Sequence, residues 1–217
     1  DKNVVLVSSG AIGVGSKSLG FSERPQKTRE KQAAAAVGQA ILMQIYQNFF
    51  NMYTHTIAQI LLTRTDFEEE NRRHNTENTF DELLQRGIVP IVNANDTTST
   101  YEIEFSDNDR LAANVAVLLK ADLLILLTDI DALYDSDPRV NPDAKRIKIV
   151  EKVTEEIENM AGKAGSKFSV GGMATKISAA KLCGDNGIDM VIADGSDAEI
   201  IEKVIDGDDV GTLFIGK

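Results

Sequence analysis

A chain of 217 residues with 42% hydrophobic content can bury a substantial core and is read as one domain. Its formal net charge of −11 argues against broad nucleic-acid binding, and no apolar stretch approaches the ~20 residues that span a membrane. The single cysteine, Cys183, excludes an intrachain disulfide and points to a reducing compartment, and with His55 and His74 it makes no zinc-type ligand set.

The first predicted element is a strand at 4–7, where Val4-Val5-Leu6-Val7 shows no alternation and so reads as covered on both faces of a parallel sheet. It empties into Ser8-Ser9-Gly10-Ala11-Ile12-Gly13-Val14-Gly15, expected as a small-residue loop whose backbone can approach an anion, or equally as a tight strand-to-helix turn. The spacing G-x-x-G-x-G reverses the dinucleotide fingerprint and gives no support to an NAD site. A long helix is predicted over 28–51, a strand over 57–62, a helix over 67–86 ended by Gly87, and a strand over 88–92 in which Pro90 suggests a sheet edge or a strand end.

Residues 93–106 interrupt this rhythm with the polar turn Asn93-Ala94-Asn95-Asp96 and an alternating hairpin arm over 100–105. A helix over 107–120 and an apolar strand over 122–127, closed by Thr128-Asp129, follow. Beyond a polar loop come a short strand near 147–150, a helix near 154–161 and a polar loop over 162–170. Gly171-Gly172 opens a helix running to about 186, and a strand over 188–193, a helix over 198–205 and a strand over 212–215 complete the chain. Strands alternating with helices specify an α/β fold, a three-layer αβα sandwich with a mainly parallel central sheet. Because the first strand looks internal to a sheet yet starts close to Asp1, a preceding strand–helix unit is expected to be missing.

Polar residues cluster at strand ends and helix starts, where open α/β sheets bind ligands. Gly171-Gly172-Met173-Ala174-Thr175-Lys176 joins a glycine pair to a helix with a lysine in its second turn. That pattern suits a phosphate, since helix N-termini favour anions and Lys176 adds a full charge; a glycine-capped helix with a solvated lysine is the plain alternative. It is not a Walker A loop. Asp96, Asp107 and Asp109 form an acidic set that could hold a substrate ammonium, orient a lysine or bind Mg²⁺, although Asp107 also suits a helix cap. Asp129 is a ligand candidate or a turn former. Cys183 reads as a small buried apolar side chain, and neither histidine is given a role.

Together these clusters resemble the amino acid kinase family. The matching stretches are Val5-Leu6-Val7-Ser8-Ser9-Gly10-Ala11-Ile12, Ala35-Ala36-Val37-Gly38-Gln39, Gln59-Ile60-Leu61-Leu62-Thr63, Arg86-Gly87-Ile88-Val89-Pro90-Ile91-Val92-Asn93-Ala94-Asn95-Asp96, Asp107-Asn108-Asp109, Leu127-Thr128-Asp129 and Gly171-Gly172-Met173-Ala174-Thr175-Lys176. They keep the family's order across almost the whole chain. The pairing of N-x-N-D with D-N-D separates the branch that acts on free glutamate from acetylglutamate, aspartate and uridylate kinase relatives.

The resemblance implies ATP-dependent phosphorylation of the L-glutamate side-chain carboxylate, the first step of proline biosynthesis. It implies that Ser9 and Gly10 meet glutamate, with Asp96, Asp107 and Asn108 completing the pocket. Thr128, Asp129, Val170, Gly171, Gly172, Met173, Ala174, Thr175 and Lys176 would contact the nucleotide. Lys176 would neutralise the transferring phosphoryl group, and Asp109 would orient a catalytic lysine. Mg²⁺ is the expected companion of ATP, with no protein metal ligand assigned. Val170 stands where many members carry threonine. The family's opening strand, with its lysine and phosphate loop, is not present, so the domain expectation is an N-terminally incomplete kinase domain over 1–217 with no PUA domain. Cytoplasmic location, a homo-oligomer (dimer or tetramer) and feedback by proline are expected too, with no nucleic-acid or membrane partner; the 28–51 helix is a candidate interface or, at least equally, a helix packed on its own sheet. The alternatives are a related kinase acting on acetylglutamate, aspartate or a nucleoside monophosphate, and a non-catalytic binding module.

Overall fold

The structure, a computed structural model, describes residues 2–98, 108–138, 140–163 and 172–216. The chain divides into two compact units, Asp1–Leu111 and Ala112–Lys217.

In the first unit, β1 (Leu6–Val7) leads into α1 (Ala11–Ser18) and α2 (Thr28–Met52), followed by β2 (Ile57–Leu62), α3 (Thr65–Glu68), α4 (Glu70–Gln85) and β3 (Val89–Ala94). The three strands are parallel in the order β1-β3-β2, with Val7 beside Val92 and Ile60 beside Val92 on the other flank. Pro90 therefore lies in the central strand but as its second residue, so of the two readings the strand end holds and the sheet edge does not. It pairs with Ala58 of β2, while β1 joins only from Ile91 onward, so no neighbour asks for the N–H that proline lacks. Strand β1 has β3 as its hydrogen-bonded neighbour and is half-buried, where full cover on both faces was expected.

Gly13 and Gly15 lie inside α1, not in a loop. A Cβ at Gly15 would come within 1.8 Å of the Ala34 carbonyl oxygen, and a Cβ at Gly38 within 1.8 Å of the Ala11 carbonyl oxygen. These residues are small so that two helix backbones can touch. Ala34 and Ala35 are buried beside them, which explains why an alanine–glycine segment occupies the middle of α2. The helix expected over 67–86 is broken at Glu69, whose extended backbone (ψ 120°) separates α3 from α4.

Helix α5 (Asn108–Leu119) begins in the first unit and precedes β4 (Leu123–Thr128), β5 (Leu133–Tyr134), β6 (Arg146–Ile147) and β7 (Ile149–Val150). Then come α6 (Glu155–Lys163), α7 (Met173–Asp185), β8 (Asp189–Asp194), α8 (Ile200–Asp206) and β9 (Thr212–Phe214). The sheet of this unit runs β4-β8-β9-β7, with β4 parallel to β8, β7 parallel to β9, and β8 antiparallel to β9. The antiparallel β5–β6 pair was not anticipated, because two residues per strand leave no period to detect. The buried Thr212 hydroxyl links it to β9, donating to the Ile147 carbonyl at 2.6 Å and accepting from the Leu133 N–H at 2.9 Å. Ile177, Cys183, Met190 and Ile192 are among the unit's most deeply buried residues.

The α/β class and the mainly parallel pairing both match the reading of the sequence. The hairpin arm expected over 100–105 lies outside the described residues, as does most of the loop expected over 162–170, whose first two positions belong to α6.

Candidate active site

The parallel strands of the first unit set its site. Ser8 lies just beyond β1, and its N–H donates to the Val92 carbonyl at 2.8 Å, extending the ladder by one residue. Ser8 is 6% exposed, and its hydroxyl shares a 2.8 Å hydrogen bond with the Tyr46 phenol on α2. Its carbonyl accepts a 2.9 Å hydrogen bond from Asn108 Nδ2, at the first turn of α5. With Ser8 held on three sides, Ser9 and Gly10 project to the surface. Gly10 caps α1 with a left-handed backbone, φ 92°, and its carbonyl accepts from the Val14 N–H. A side chain would be strained there.

Beside Ser8, at the carboxyl end of β3, Asn93 is 3% exposed and donates through Nδ2 to Gln39 Oε1 at 2.9 Å. Its Oδ1 accepts from the Ala94 N–H at 2.9 Å, so both ends of the carboxamide are engaged. The chain then turns, with the Asn95 N–H donating to the Leu62 carbonyl and Asp96 half-buried in the turn. Asp109 is half-buried in the first turn of α5, where the helix dipole favours a carboxylate. Ser9, Gly10 and Asn108 thus come together around Ser8, and Asp96 follows directly from the neighbouring strand end; Asp107 lies outside the described residues. Ser8 and Asn93 belong to the polar strand-end clusters of the sequence, but neither they nor Gln39 and Tyr46 are among the expected substrate contacts. Ser8, Asn93 and Gln39 stood inside quoted motifs, but Tyr46 gave no signal in a helix already read as apolar.

In the second unit, Thr128 ends β4 beside Asp194, the last residue of β8. Thr128 Oγ1 donates to Asp129 Oδ1 at 3.1 Å, and the Thr128 carbonyl accepts from the Gly195 N–H at 2.8 Å. Asp194 in turn accepts from the Ser196 N–H and hydroxyl, both at 2.9 Å. The Asp194-Gly195-Ser196 turn is thus a further polar strand end, outside the sites expected from the sequence.

Helix α7 feeds β8 through a short turn in which the Ile188 N–H donates to the Cys183 carbonyl. A helix that reverses into a parallel strand and packs along it starts level with that strand's carboxyl end. Its thirteen residues and the strand's six both span roughly 20 Å. The first turn of α7 holds no acidic residue, and Gly172 offers no side chain to cap it. Thr175 instead donates its hydroxyl to the Gly172 carbonyl at 2.8 Å. Met173 is buried and Ala174 exposed. Lys176 is 7% exposed, so it is not the solvated lysine of the plain alternative. Long cationic side chains are rarely buried unless their charge is used. Val170 and Gly171 lie outside the described residues.

Among the described residues no group of three or more His, Cys, Asp or Glu side chains could hold a metal ion, and no helix is long and apolar enough to cross a membrane. Cys183 is fully buried, and burial pushes its thiol up to about 11, which suits an inert packing residue. A concavity of about 430 Å³ opens between β2 and α4, lined by Gln59, Leu61, Asp66, Arg72 and Thr76 among others; no site residue expected from the sequence lines it.

Comparison with known proteins bears on the family and the fold. The family model described as the amino acid kinase family matches residues 1–194. A protein of Clostridium perfringens named glutamate 5-kinase is 54% identical over 220 residues, covering 100% of this chain and 82% of the relative. Its namesake from Clostridium acetobutylicum is 55% identical, with 99% and 80% covered. Among solved structures, a UMP kinase from Bacillus anthracis superposes with a TM-score of 0.54 at 15% identity, covering 92% of this chain and 72% of that one. An isopentenyl phosphate kinase from T. acidophilum gives 0.55 at 16% identity, covering 97% and 82%. At such identities these two speak for the fold alone. Motif order, fold and relatives agree: the chain belongs to the amino acid kinase family and groups within it with the glutamate 5-kinases.

Proposed function

We propose that this chain transfers the γ-phosphoryl group of ATP to the side-chain carboxylate of L-glutamate, giving L-glutamyl 5-phosphate. The observation that carries the proposal is the 2.9 Å hydrogen bond from Asn108 to the Ser8 carbonyl, which joins two motifs a hundred positions apart at the carboxyl end of a parallel sheet. Ser9 and Gly10 receive the amino acid, and Asp96, Asp107 and Asn108 complete its pocket. Carboxylates at such a pocket suit a substrate that carries an ammonium group.

The acceptor oxygen is already ionised at neutral pH, so no general base is needed. Catalysis reduces to alignment and to cancelling the repulsion between two anions. Lys176, buried on α7, and the N-terminus of that helix supply fixed positive charge where phosphoryl oxygens gather. Thr128, Asp129 and the segment 170–176 hold the nucleotide, and Asp109 orients a catalytic lysine. Mg²⁺ would accompany ATP and offset the charge on its phosphates, with no protein ligand assigned to it. Acidic overall charge gives anionic substrates no long-range steering, so the positive field is local.

The deciding experiment follows ADP release from ATP and Mg²⁺ by full-length protein with glutamate, acetylglutamate, aspartate or UMP as acceptor, and traps the acyl phosphate formed on the carboxylate acceptors as hydroxamate. Glutamate-dependent hydroxamate is expected. No product, or preference for another acceptor, rejects the proposal. A cytoplasmic homo-oligomer, dimer or tetramer, subject to proline feedback completes the proposed reading. Phe49, Met52 and Tyr53 at the exposed end of α2 are the proposed contact, which sedimentation analysis of a Phe49→Ser variant tests.

A further inference from the structure

Helix α2 touches the proposed glutamate site at three places without carrying any of its expected residues. Tyr46 hydrogen-bonds Ser8 at 2.8 Å across 38 positions, and Gln39 accepts from the buried Asn93 at 2.9 Å across 54. The two side chains are seven positions apart, two turns along one face and roughly 10 Å in rise. They reach neighbouring strand ends, because β1 and β3 are parallel with Val7 beside Val92. Gly38, next to Gln39, lets the Ala11 carbonyl press against the helix backbone. The segment from Ser8 to Ala11 is therefore clamped by α2 at both ends, with Ser9 and Gly10 presented between.

We infer that Tyr46 and Gln39 are positioning residues for the amino-acid substrate, acting through Ser8 and Asn93 on the strand ends that present Ser9, Gly10 and Asp96. The inference rests on the glutamate reading above. Both anchors are neutral and directional. They set where the polar groups of the site point and add no charge that a phosphate would feel. Their loss blurs substrate placement and leaves nucleotide binding alone. A buried hydroxyl or carboxamide deprived of its partner must reorient or draw in water, and either shifts the adjoining backbone.

The test is steady-state kinetics of full-length Tyr46→Phe, which removes one hydroxyl and keeps the ring, and of Gln39→Leu, both also made in a Ser8→Ala background. In each single variant KM for glutamate should rise about tenfold, with kcat within about threefold and KM for ATP unchanged. In the Ser8→Ala background the effect of Tyr46→Phe should shrink below about twofold, because its partner is already gone. If Tyr46→Phe leaves KM for glutamate within about twofold of wild type, moves KM for ATP in step, or adds fully to Ser8→Ala, the inference is overturned while the glutamate reading stands. A wild-type protein with no glutamate-dependent turnover overturns both.

Discussion

The two units present their polar groups by different physical means. In the first, expected site residues are held by a lattice of neutral hydrogen bonds: Tyr46 to Ser8, Asn108 to the Ser8 carbonyl, Asn93 to Gln39. In the second, the corresponding feature is a glycine-capped helix start with a lysine that is 7% exposed. Hydrogen bonds have direction and discriminate between shapes; charge and dipole have reach and tolerate variety. An amino acid must be told from its analogues, whereas a polyphosphate must chiefly be neutralised. The same α/β scaffold offers both, one at strand ends and one at a helix N-terminus.

The strongest challenge to this contrast is to remove charge from the second unit. Lys176→Ala should lower kcat by about 10²–10³ with little change in KM for glutamate, as measured by hydroxamate formation. An unchanged kcat would take Lys176 out of the mechanism. Next in size is the packing that supports the first unit's lattice. Gly38→Ala forces a methyl group into the Ala11 carbonyl and should cost about 1–3 kcal/mol in urea denaturation, since backbone must move. A variant as stable as wild type would show that α1 and α2 are not in backbone contact.

Asn108→Ala should raise KM for glutamate about tenfold and leave KM for ATP alone, the mirror image of the lysine variant. If both substrates weaken equally, the division of labour between the units is wrong. The smallest effect concerns acid stability away from the site. Burial pushes the Asp66 carboxyl up, but hydrogen bonds from Thr63 and Arg72 outweigh it and hold the group below its ordinary value of 3.8. A lowered folded pKa means the stabilisation is complete above the ordinary value and fades as pH falls through the folded one. Thermal melts of wild type should therefore drop more steeply than those of Asp66→Asn between about pH 4.5 and about pH 3. Parallel curves would exclude the Asp66 contribution.

Much of this was readable along the chain. The strand Ile57–Leu62 fell at its predicted bounds, and α7 and β8 fell within a residue or two, because each is a long apolar run bounded by glycine or polar residues. Pro90 left a sheet edge and a strand end both open, because a proline is judged by the neighbour it would deprive, and only the pairing decides for the strand end, with β1 joining one residue later. The short β5–β6 pair left no periodicity to read.

The site divides along the same line. From residue types alone came the small-residue bend after β1, the acid-and-asparagine turns and the glycine pair before a lysine, since these depend on local backbone freedom and charge. Tertiary structure alone decided that Gly15 and Gly38 serve helix contact, that Lys176 is buried, and that Tyr46 and Gln39 reach the strand ends from α2. Those facts join residues tens of positions apart. A one-dimensional pattern records which side chains a residue carries, whereas burial and hydrogen-bond partners are set by which distant segments fold beside it.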